Sequence, residues 1–120
     1  MYLSQSNIDA LRHQVENEDG FHFAIAPMFP QLFPNVWMVA ESLYKELNSA
    51  GYKVLLDDRN QRPKNMFKVI QFLGIRHRVV ISSRSISAKV VEYRDLESGE
   101  FQKIALDSAA RVLQEKLMLE

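Results

Sequence analysis

The chain contains no cysteine among its 120 residues. Disulfides, thiolate zinc sites and cysteine nucleophiles are thereby excluded, and the absence suits a reducing compartment. Glycine occurs only four times, and no phosphate-cradling glycine loop, dinucleotide fingerprint or nucleophile elbow is present. The histidines at 13, 22 and 77 are scattered without metal-ligand spacing. Neither a metal nor a cofactor is therefore expected. No apolar run approaches the roughly 18 residues of a membrane span. The first residues, Met1-Tyr2-Leu3-Ser4, lack the basic start and apolar core of a signal peptide. The expectation is a soluble cytoplasmic protein without membrane contacts, large enough for one globular domain that buries roughly two thirds of its unfolded surface.

Net charge is also lacking, with 15 basic and 15 acidic residues. A neutral sum would argue against a polyanionic partner, but fields act locally and the charges are segregated. Residues 59–89 hold eight Lys and Arg and no Asp or Glu, which leaves seven bases against fifteen acids elsewhere. That window is the organising stretch. Two apolar β-branched runs, residues 53–57 and 77–82, flank a helical run that opens at Pro63 and stops at Gly74. Parallel strands need such a crossover.

Around that unit the other elements fall in order. Ile8, Leu11 and Val15 predict a short helix behind a Ser6 or Asn7 cap, or else a frayed extension, ended by the acidic residues 16–20. Residues 21–26 predict a first strand closed by Pro27. Prolines 27, 30 and 34 hold a loop at its C-terminal end, where open α/β sheets place ligands. Asn35 is expected to cap a helix that Gly51 ends. Residues 82–88 read as a polar loop around Arg84. Residues 90–93 and 101–106 predict an antiparallel hairpin about a turn at Glu97-Ser98-Gly99-Glu100. Asp107 is expected to cap a last helix.

The expectation is an α/β fold with a mixed five-stranded sheet, a parallel β-α-β-α-β core plus a C-terminal antiparallel hairpin, flanked by helices. Residues 1–20 form an N-terminal extension or short helix, and residues 21–120 the domain.

Leu55-Leu56-Asp57-Asp58-Arg59, Arg62-Pro63, Phe67, Gly74-Ile75, His77-Arg78 and Val90-Val91-Glu92-Tyr93, taken in order and spacing, resemble a known pattern. It is that of the C-terminal anticodon-binding domain of class II aminoacyl-tRNA synthetases, most closely the prolyl enzymes. Ala26-Pro27-Met28 and the run from Tyr44 to Gly51 extend the likeness, and Gln61, Lys64, Met66 and Arg76 depart from it where the family carries Glu, Gly, Lys and Pro. The resemblance implies the same five-stranded sheet and a partner, the tRNA anticodon stem-loop. It implies a non-catalytic part, whose catalytic domain would lie in a parent chain or protein partner. A repurposed domain serving as a general RNA-binding or protein-interaction module is the alternative.

Recognition of unpaired RNA needs stacking planes, hydrogen-bonding edges and cations for phosphate. The residues expected to supply them are Arg59, Arg62, Lys64, Phe67, Lys68, Arg76 and Arg84. For Arg59, an ion pair with the preceding carboxylates at the strand end is the competing reading. The adjacent Asp57 and Asp58 are expected to serve turn chemistry rather than acid/base catalysis, since neighbouring strand residues face opposite ways.

Overall fold

The computed structural model describes residues 1–17 and 20–118. Helix α1 (Ile8–Asn17) is followed by β1 (Phe23–Pro27), α2 (Pro34–Ser49), β2 (Val54–Leu56), α3 (Pro63–Phe72) and β3 (His77–Ile81). A short α4 (Ser83–Ser87), the hairpin strands β4 (Val90–Asp95) and β5 (Phe101–Ala105), and α5 (Ala109–Met118) complete the fold. The sheet runs β2-β1-β3-β4-β5. Strand β1 pairs parallel with β2 and β3, whereas β3-β4 and β4-β5 are antiparallel. This is the expected mixed five-stranded sheet.

Alternation along β1 divides the interior in two. Phe23 and Ile25 enter a core with Val36, Leu43, Leu47 and Leu113 from α2 and α5. Ala24 and Ala26 enter the other, with Leu11 of α1 and Met66, Ile70 and Leu73 from α3 and its end. All of β1 is buried, as a strand covered on both faces must be.

Several boundaries differ from expectation for local reasons. Pro34, not Asn35, opens α2, because proline has the dihedral of a first helical residue and no N–H to waste. Pro27 stays in the ladder opposite Ile81, because Met28 N donates to Ile81 O at 2.8 Å and the pairing asks no donor of the proline. Residues 82–88 are not a loop: Ser82 and Ser85 form a reciprocal capping box, with Ser85 N donating to Ser82 Oγ at 3.0 Å and Ser82 N to Ser85 Oγ at 2.9 Å. A 3-10 turn over Leu106–Ser108 takes the place of the expected Asp107 cap. Gly51 and Gly74 do adopt left-handed backbone, with φ of 96° and 69°, where the helices stop.

The N-terminal segment is helical and packed. Asn7 Oδ1 accepts from Ala10 N at 3.1 Å and so caps α1. The acidic stop signal falls partly on residues 18 and 19, outside the described residues. Tyr2 bridges to Leu56 at the sheet edge, and Leu3 is 1% exposed. Leu3→Ala is expected to lower stability by about 2–4 kcal/mol, read as a lower urea midpoint at constant m. An unchanged midpoint would mean that this segment unfolds independently of the sheet.

Candidate nucleic-acid interface

Where β2 leaves the sheet, two carboxylates are committed at once. Arg59 donates from Nε to Asp57 Oδ1 at 2.9 Å and from Nη2 to Oδ2 at 2.8 Å, and Ser4 N donates to Asp58 Oδ1 at 2.7 Å. The Asp57 hydrogen bonds raise the Arg59 pKa. The strand-end ion pair is thus formed, and it holds the start of the basic loop in place. Asn60 then turns the chain with a φ of 56°, a conformation that asparagine tolerates better than most residues.

The loop delivers Arg62 to the end of α3 and Pro63 to its first turn. Helical spacing buries Met66 and Ile70 and places Lys64, Phe67, Lys68 and Gln71 in one stripe at i, i+3, i+4 and i+7, in which Phe67 packs partly against the second core. Arg62, Lys64 and Lys68 are exposed, and none forms an ion pair among the described residues. Phe67 is half-buried between them. Beside them, Gln61 Oε1 accepts from Asn65 Nδ2 at 3.2 Å.

Thus α3 and the residue before it assemble Arg62, Lys64, Phe67 and Lys68 on one surface, with Arg59 pinned at its approach. Arg76 stands elsewhere in its bonding: it grips Asp95 from Nε at 2.9 Å and Nη2 at 2.8 Å, with Glu97 at 3.5 Å. Arg84 is exposed on α4, which packs with α2 and β4 in the opposite layer from α3.

One cation outside the expected set belongs to this surface. Alternation in β3 buries His77, hydrogen-bonded to Tyr93 Oη at 2.8 Å, and leaves Arg78 on the α3 side. Its guanidinium lies 3.9 Å from the Phe67 ring centroid, and its Nε is buried without a hydrogen-bond partner. Desolvation, reinforced by Arg94, lowers its pKa. Phe67, Gln71, Ile75, Arg76 and Arg78 line a shallow groove there. The sequence signal for Arg78 was its outward place in an alternating strand.

A second cleft lies at the C-terminal ends of β1 and β2. Pro30, Pro34, Trp37 and Met38 face Asp58 and Asn60 across it. One wall is largely apolar and the other carries a carboxylate already bonded to Ser4, so it offers little to an anionic ligand. Among the described residues no group of three metal-ligating side chains comes together, and no helix is long and apolar enough to cross a membrane.

Compared with known protein families, the chain matches the model for the anticodon binding domain over residues 22–116. The match takes in all five strands and both cores' sheet residues.

Proposed function

The chain belongs to the anticodon binding domain family, and on that premise we propose that it holds the anticodon stem-loop of a proline tRNA on the outer stripe of α3. The family is of the class II aminoacyl-tRNA synthetase type, a binding domain and not a catalytic one. Prolyl descent rests on the ordered motifs from Leu55 to Tyr93. In this reading residues 21–120 form the binding domain, and aminoacylation belongs to a catalytic domain in a parent chain or a protein partner.

One observation carries the assignment of the surface. Three exposed cations without carboxylate partners, Arg62, Lys64 and Lys68, flank an aromatic ring, Phe67. The cations neutralise loop phosphates and the ring offers a plane to an unstacked base. Three such contacts give a log-log salt slope of about −2 on single-stranded RNA. Arg59 supports the loop through Asp57.

Gln61 bears on discrimination. A carboxylate accepts from both Watson–Crick donors of guanine, whereas an amide donates as well as accepts. The test is a titration of a fluorescent proline anticodon stem-loop against the same hairpin with its two discriminating guanines changed, at two salt concentrations. Salt-sensitive binding with preference for the intact anticodon is the expected result. Equal binding of both hairpins would support a general RNA-binding module, the reading that the Gln61, Lys64 and Met66 departures favour. No binding would point to a protein partner.

A further inference from the structure

The two faces of the sheet are covered unequally. Helices α2 and α5 pack over the β1, β3, β4 and β5 residues of one core. The other core draws only on Ala24, Ala26, Leu55 and the partly buried Val80 from the sheet. Beyond β3 that face is open, with Glu92 and Arg94 of β4 half-buried and Phe101 and Lys103 of β5 exposed.

On that uncovered face a single cross-strand row holds Arg78, Arg94 and Phe101, which register pairs directly: Arg78 opposite Arg94, and Arg94 opposite Phe101. Like charges placed directly opposite repel. No carboxylate forms an ion pair with either arginine among the described residues. Each guanidinium lies instead against a ring, Arg78 over Phe67 at 3.9 Å and Arg94 over Phe101 at 5.0 Å. Arg94 Nη1 donates to Gly99 O at 3.1 Å, but Arg78 Nε has no acceptor. In the next row Glu92 faces Lys103.

We infer that this row is a second RNA contact, in which Arg78 and Arg94 together hold one phosphodiester and Phe101 stacks an unpaired base beside it. An anion between the arginines removes their repulsion. Phe101 is 45% exposed, with area left for a base. The row spans two interstrand spacings, about 10 Å. It also continues the α3 surface, because Phe67 belongs to both. The inference rests on the reading that the chain holds RNA, and it extends the α3 site across the open sheet.

The test uses the whole chain with two probes, the proline anticodon stem-loop and an unstructured oligouridylate, and compares Arg94→Gln, Phe101→Ala and Arg62→Gln at matched thermal stability. Arg94→Gln is expected to flatten the log-log salt slope by about 0.7 on both probes, roughly a fivefold loss of affinity near 0.1 M salt. Phe101→Ala is expected to cost roughly fivefold or more at unchanged slope. If Arg62→Gln weakens binding while Arg94→Gln and Phe101→Ala do not, the open face is not a contact and the α3 reading stands. The reverse result would leave the sheet contact standing and overturn the α3 reading. A wild-type chain that binds neither probe would overturn both.

Discussion

The triple variant Arg62→Glu, Lys64→Glu, Lys68→Glu is expected to lose RNA binding by about 100-fold or more near 0.1 M salt, with its melting temperature unchanged. Each lost phosphate contact removes about 0.7 from the slope of log K against log salt on a single strand, and reversed charges add repulsion. Stability is spared because all three side chains are exposed and none has an ion pair to break among the described residues. Lys64 and Lys68 already stand four apart as like charges, and two glutamates would repel no more. Acid in the first turn of α3, which carries none at present, would favour the helix dipole. Filter binding and a thermal melt decide it. Unchanged affinity in the folded triple variant would move the RNA surface away from α3.

Asp95→Ala is expected to destabilise the domain by about 3 kcal/mol at neutral pH, near the low end for removing one partner of a buried pair. Asp95 is 6% exposed and accepts two hydrogen bonds from Arg76. It also accepts from Glu97 N at 2.9 Å and Ser98 N at 3.2 Å, so it closes the hairpin turn as well as the ion pair. The low end applies because the Arg76 side chain is 37% exposed, and water rehydrates it once the carboxylate is gone.

The Arg76 guanidinium, followed by those backbone donors, holds the Asp95 carboxyl well below the usual carboxylate range. A carboxyl with a depressed folded pKa contributes stability that is complete above its unfolded value, near 3.9. That contribution is lost as pH falls from there toward the folded value. The gap between wild type and Asp95→Ala should therefore be constant from neutral pH down to about 5 and narrow below about 4. Urea midpoints across that range measure it. Curves that stay parallel to about pH 3 would show that the stabilisation does not depend on ionisation of the Asp95 carboxyl.

Much of this molecule is legible without coordinates. The runs at 53–57 and 77–82 became the strands Val54–Leu56 and His77–Ile81, the Pro63 and Gly74 signals bounded α3 to within two residues, and the turn residues 97–100 joined an antiparallel pair. These are local effects, decided by spacing and backbone restriction within a few residues. The misjudged boundaries are also local, but competing: Pro34 outranked Asn35 as a helix start, and Ser82 with Ser85 closed a capping box inside a stretch that composition alone marks as loop.

The candidate site was only half legible. Counting charges along the chain marks residues 59–89 as free of acids, and that count treats all eight cations alike. Folding separates them. Asp57, just outside the window, takes Arg59, and Asp95, nineteen residues beyond Arg76 in sequence, takes Arg76. Arg62, Lys64 and Lys68 keep their charge open to solvent, with no ion pair among the described residues. Arg78 and Arg94 meet through strand pairing, sixteen positions apart.

By itself, then, the sequence determined the five strands, most of the helices, the α/β class and the acid-free window, because periodicity dictates what each segment buries. Only the tertiary structure decided which cations are neutralised, which ring each guanidinium lies against and which face of the sheet stays open. Those outcomes depend on Coulombic and stacking contacts that act over a few ångströms between residues far apart in the chain, and no local pattern encodes that distance.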